Sequence, residues 1–166
     1  MIRAVVTVLG IGYLRPASGT WASAIAIALG VALYEIGFWW AVPVLALLAT
    51  LLGFWAVPRA IAGQADADPS EIVIDEFAGQ WLALSFTVIP LAQHGADLIA
   101  AWPGYVVPFL AFRLFDIRKP WLVGRADRRG DAMGVMADDL WAGLFAGVVA
   151  VILAGLYHMV LQPMMG

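Results

Sequence analysis

The chain has 166 residues, 63% of them hydrophobic and 13% charged, with a mean hydropathy of +0.90. A soluble domain runs nearer half apolar and a quarter charged, so a single small domain over residues 1–166 has more apolar surface than a core can hide, and lipid is the expected solvent for much of it. The absence of cysteine excludes a disulfide frame, a thiolate metal site and a cysteine nucleophile; the net charge of −3 discriminates little, and nothing points to a nucleic-acid partner.

The N-terminal MIRAVVTVLGIGYLRP contains a short apolar run without a convincing cleavage site and does not read as a removable signal peptide. Residues 2–12 are too short to span a bilayer and either lie in the interface or re-enter. Crossing takes about 20 apolar residues, which predicts five membrane-embedded helices at roughly 20–37, 39–57, 74–92, 98–115 and 139–161. The fold class is therefore all-α, a polytopic helical bundle with charged loops. Pro43, Pro90, Pro103 and Pro108 fall in or near these spans, where neighbouring helices tolerate proline. Of 21 charged residues, 17 fall in two windows, 59–76 and 113–139. With the N-terminus inside, all nine basic residues are inside too, so the positive-inside rule puts both windows in the cytoplasm and the C-terminus outside. No long repeat is evident, but DEFAG (75–79) and DLWAG (139–143) echo each other, each with Asp four residues before Gly at a span start.

The carboxylates invite a chemical reading. Asp75 and Glu76 open the third span, Asp138 and Asp139 the fifth. Acids at a helix start also suit the macrodipole, at about 0.3–1 kcal/mol, and capping is the simpler account of Asp66, Asp68 and Glu71. Were the third helix to start at Asp68, with Pro69 in its first turn, Asp75 would lie two turns inside and need another reason. Asp116 ends the fourth span at the unfavourable end of the dipole; an ion pair with Arg113 or Lys119 is the plain alternative. Carboxylates without a thiolate or histidine cluster suit a hard cation, Mg²⁺ above all, together with substrate phosphate. Arg113, Arg118 and Lys119 suit phosphate, although the positive-inside signal also accounts for basic residues here. In GTWAS (19–23), Thr20, Ser23 and the free amides of a helix start could take phosphate, or Ser18 or Thr20 could simply cap the helix. His94 and His158 fall on the outer side, and Glu35 at the outer end of the first span. Gly143 and Gly147 give a small-xxx-small spacing for helix packing, compatible with a homo-oligomer.

LGIGYLRPASGTWAS (9–23), SEIVIDEFAGQW (70–81), FRLFDIRKPW (112–121) and GVMADDLWAG (134–143) together resemble the phosphatidylglycerophosphatase A family of bacterial inner-membrane phosphatases. The resemblance implies a multi-pass protein whose cytoplasmic site uses Mg²⁺ to remove the terminal phosphate of phosphatidylglycerophosphate, a lipid held in the bilayer, giving phosphatidylglycerol. It places Asp75, Glu76, Asp116, Lys119, Asp138 and Asp139 on the family's characteristic positions. Metal is expected at Asp75, Glu76, Asp116, Asp138 and Asp139. Catalysis is expected from Asp75, Asp116, Lys119 and Asp139, with Thr20, Ser23, Arg113, Arg118 and Lys119 on the phosphate. Two departures bear on loop geometry. Ser18-Gly19-Thr20 and Ala22 replace the usual Pro-Gly-Thr and a further glycine, and Asp131-Ala132 replaces a glycine pair. The aspartyl-phosphatase DxDxT motif is absent, which favours water as nucleophile over a phosphoenzyme. Two alternatives are another Mg²⁺-dependent lipid phosphotransferase, whose long Asp-Gly…Ala-Arg signature is missing, and a small transporter or scaffold, for which mid-span charge is lacking.

Overall fold

A computed structural model describes residues 1–64, 68–157 and 159, and these are helical with no strand. A short α1 (Ile2–Val6) and a 3-10 turn (Ile11–Tyr13) precede α2 (Ser18–Glu35), α3 (Ala41–Ala60), α4 (Ile74–Gln93), α5 (Pro103–Arg118), α6 (Trp121–Asp127) and α7 (Ala132–Leu156). The all-α expectation holds. The predicted ends at 98 and 139 move to Pro103 and Ala132, and the predicted end at 161 lies outside the described residues, as do Asp66 and His158.

Local chemistry explains most boundaries. Pro103 occupies the first helical position of α5, where its missing N–H costs nothing. Gly37, Gly63, Gly95 and Gly130 take positive φ in the turns beyond α2, α3, α4 and α6. Asp131 caps α7, its side chain accepting from the Gly134 amide at 2.8 Å. Residues 131 and 132 take ordinary backbone conformations: Asp131 is extended (φ −132°), Ala132 is a buried helical residue, and the left-handed turn falls on Gly130. At α2 the expected cap is missing. Ala17 is the N-cap with no side-chain bond, because Ser18 Oγ donates instead to the Ser70 carbonyl at 2.5 Å. Nor does a helix start at Asp68: Pro69–Ile72 form a turn and α4 begins at Ile74, so Asp75 and Glu76 stand in its first turn.

The helices run alternately up and down, with α4 in the centre against α2, α3, α5 and α7. More than half of α4 is buried, including Phe77, Gly79, Gln80, Leu84 and Val88. α4 and α7 run parallel and cross at bare backbone: a Cβ on Gly143 would lie 2.9 Å from the Gly79 carbonyl carbon, and Gly147 faces the Phe86 ring. The small-residue pair of α7 thus packs helices within this chain. The outer faces stay apolar, with Leu47, Leu48, Leu51 and Leu52 on α3 and Val148, Val151, Ile152 and Leu153 on α7 all exposed. Of the five expected spans, α3 and α7 are long and apolar enough to cross a membrane, each with a mean hydropathy of 2.0. α5, at 16 residues, rises only about 24 Å, short of a hydrocarbon core of about 30 Å. α4 carries two acids in its first turn and is shielded by its neighbours.

Candidate active site

The start of α4, the first two turns of α7, the last turn of α5 and the start of α2 meet at one end of the bundle. The α4–α7 crossing sets the centre. Asp75 lies one turn before Gly79, and Asp139 one turn before Gly143, so the closeness permitted by the glycines carries the two acids together. This is the physical content of the DEFAG/DLWAG echo. Asp75, Glu76 and Asp139 each offer an oxygen, and these oxygens lie within 4.8 Å of one another. Asp75 and Asp139 are buried, at 5% and 3% exposure, and Glu76 is half-buried. Asp139 belongs here because α7 begins at Ala132, which puts it two turns inside the helix rather than at its opening.

Two cations flank the trio, Arg113 held by one acid and Lys119 by two. Arg113 Nη1 donates to Asp116 Oδ2 at 2.5 Å, one turn on along α5. The Asp116 charge acts on Glu76 and Asp139, and Arg113 opposes it. Lys119 Nζ donates to Asp138 Oδ2 at 2.9 Å and also to Asp127. Burial pulls the Lys119 ammonium down, but the bonds to Asp127 and Asp138 outweigh it, so its pKa is raised and it stays charged. The Lys119-Pro120-Trp121 turn is what aims it: Lys119 and Trp121 both take left-handed φ (45° and 46°), a strain of about 1–3 kcal/mol each. Gly124 is required behind that turn, since a Cβ there would run into the Lys119 carbonyl.

The remaining expected residues are placed as follows. Glycine at 19 lets α2 approach the site, since a Cβ there would strike the Glu76 carboxylate and lie 3.1 Å from Arg113 Nη1. Thr20 is half-buried in the first turn of α2. Ser23 is buried, with its hydroxyl closed onto the Gly19 carbonyl at 2.8 Å. Arg118 is exposed and makes no ion pair among the described residues. His94 caps the far end of α4 and is bonded to Pro90. Two residues near the site, Asp127 and Gln80, escaped the sequence reading, and Asp131 enters it only as a loop change. Asp127, on the unforeseen α6, shares Lys119 across eight residues, a spacing with no helical or strand signature. Asp131 is a helix cap. Gln80 is fully buried one turn beyond Glu76; a lone polar residue inside an apolar run was its only signal.

Oxygen-only donors and an unmatched cluster of negative charge fit a hard divalent cation. Glu76 Oε2 is buried without a partner among the described residues, an acceptor that such a site leaves ready. The arrangement as a whole, anionic centre with a guanidinium and an ammonium beside it, suits a phosphate ester. Comparison with known proteins agrees. The family model for phosphatidylglycerophosphatase A matches residues 4–154. A Haemophilus influenzae phosphatidylglycerophosphatase A is 31% identical over 141 residues, covering 84% of this chain and 80% of its own. An Escherichia coli phosphatidylglycerophosphatase A is 30% identical over 113 residues, covering 67% and 60%. A Bacteroides thetaiotaomicron protein provisionally named a phosphatidylinositol-3-phosphatase is 32% identical over 148 residues, covering 86% and 87%. No solved structure matches. The two apolar helices together with this lipid-phosphatase relationship indicate membrane association, and the chain belongs to the phosphatidylglycerophosphatase A family of phosphatases.

Proposed function

We propose that the protein removes the terminal phosphate of phosphatidylglycerophosphate, yielding phosphatidylglycerol and phosphate in phospholipid biosynthesis, and that it does so with Mg²⁺. The observation that carries this reading is the meeting of Asp75, Glu76 and Asp139 beside Arg113 and Lys119 at one end of an apolar bundle. Asp75, Glu76 and Asp139 would hold the cation. When bound, Mg²⁺ supplies charge neutralisation at the phosphate oxygens and a lower pKa for water. Asp116 fixes the Arg113 fork toward the substrate phosphate, and Asp138 and Asp127 hold Lys119 protonated to offset charge on the phosphoryl group. Thr20 and the uncapped amides of α2 add donors beside Glu76.

The site end also collects the starts of α2, α4 and α7 and the ends of α3 and α5. With the basic residues there, this supports a multi-pass arrangement in a bacterial cytoplasmic membrane, with the site on the cytoplasmic side and the lipid's acyl chains left in the bilayer. In that arrangement α2, α4 and α5 are embedded alongside α3 and α7, sheltered by them and by lipid thinning around the shorter helix.

Phosphate release from phosphatidylglycerophosphate by purified protein, with Mg²⁺ or EDTA, tests this. Release that needs Mg²⁺ and is lost in Asp75→Asn and Asp139→Asn is expected. Phosphatidylinositol 3-phosphate, the lipid in the Bacteroides relative's name, is the comparison substrate. No release from either lipid by folded protein would refute the assignment.

A further inference from the structure

Among the described residues, four buried side-chain polar atoms have no hydrogen-bond partner: Glu76 Oε2, both polar atoms of Gln80, and Arg113 Nε. Glu76 and Gln80 stand one turn apart on the same face of α4. Glu76 and Arg113 meet across Gly19, where a single added Cβ would touch both. A native fold leaves buried polar groups unmatched only with a reason, and a bound ion is one of them.

The four atoms are also complementary. Glu76 Oε2 accepts only, Arg113 Nε–H donates only, and a carboxamide does both. We propose that Gln80 is a positioning residue for the cation site: with its carboxamide turned from the orientation that leaves these atoms unmatched, Nε2–H donates to Glu76 Oε2 and Oε1 accepts from Arg113 Nε–H. With the existing Arg113–Asp116 bond, this makes one chain of contacts, Asp116–Arg113–Gln80–Glu76. The carboxylate keeps lone pairs for a cation, since its two oxygens offer about four acceptor sites. Gln80 thereby fixes the Glu76 rotamer and ties the guanidinium that faces the phosphate to the carboxylate that faces the cation. Partners of this kind orient metal ligands, and their loss typically weakens metal binding about 10–100-fold. Only an uncharged amide fits: leucine supplies neither bond, and a carboxylate has no donor for Glu76.

The inference rests on the cation-dependent reading above, and Mn²⁺ binding, followed by electron paramagnetic resonance on purified protein in detergent, separates the two. Wild type should bind Mn²⁺ and Asp75→Asn should not. Gln80→Leu and Gln80→Met should bind about 10–100-fold more weakly. On a Glu76→Gln background, Gln80→Leu should cost no further affinity, because its route of action is already cut. Wild-type affinity in both Gln80 variants would overturn the inference and leave the proposed function standing. So would an equal loss on the Glu76→Gln background, which would mark Gln80 as a packing residue. Absence of Mn²⁺ binding by wild type would overturn both.

Discussion

Gly143→Ala sets two effects of opposite sign against each other. Alanine is the better helix former, by about 0.8–1.0 kcal/mol. Yet the new Cβ would lie 2.9 Å from the Gly79 carbonyl carbon and 3.0 Å from its Cα, closer still to its oxygen. Carbon atoms rest about 3.5–4.0 Å apart, so α4 and α7 must separate by roughly 0.5–1 Å. The obstacle is helix backbone, which no rotamer change relieves. Overpacking of this kind costs about 1–3 kcal/mol, so the net effect is destabilising, by up to about 2 kcal/mol. The functional effect should be larger than the stability effect suggests. Asp139 is one turn from the contact and would share a cation with acids on the other helix, and such sites tolerate only about 0.5 Å of displacement. Thermal unfolding in detergent and Mn²⁺ titration measure the two quantities. Gly155→Ala is the control, since among the described residues only Met159 Cε lies near, at 3.9 Å, and it should be neutral or mildly stabilising. If Gly143→Ala matches wild type in both stability and Mn²⁺ affinity, the claim that the glycine crossing sets the acid spacing is wrong.

Gly19→Ala should act differently, because what it strikes is the mobile end of Glu76 rather than backbone: the fold should persist while Mn²⁺ affinity and phosphatase activity fall. Lys119→Met leaves the buried Asp138 without its partner, at a cost of about 1–3 kcal/mol in chemical denaturation. Adding Asp138→Asn should recover part of that loss, and no recovery would show that the pair is not coupled. At the α7 cap, the Arg129 guanidinium beside Asp131 holds its carboxyl below the usual range. A lowered folded-state pKa means that the charged cap stabilises fully above the unfolded value of about 3.9 and loses its contribution as pH falls through the folded value. The wild-type advantage over Asp131→Asn in thermal midpoint should therefore be present at neutral pH and vanish in strong acid; an advantage independent of pH would contradict the charged cap.

Hydropathy and charge placement determined the architecture class, because apolar runs of near-spanning length and the clustering of charge are properties of the chain itself. The runs at 20–37, 39–57 and 74–92 match α2, α3 and α4 to within a few residues. They did not settle which helices cross, since length and composition qualify α3 and α7, whereas α4 owes its place to shielding by its neighbours. The candidate acids were visible as a set in the sequence, but not their grouping. Asp75, Glu76 and Asp139 come within reach of one cation while Asp116 and Asp138 turn to Arg113 and Lys119. That division depends on where α7 begins and on how closely two backbones approach. The echo of Asp four residues before Gly was present in the chain, but only the crossing of α4 and α7 gives it meaning, by setting two acids one turn from a shared contact. Gln80 shows the same limit: a single glutamine in an apolar run has no period to betray it, and its unmatched amide appears only in the folded bundle.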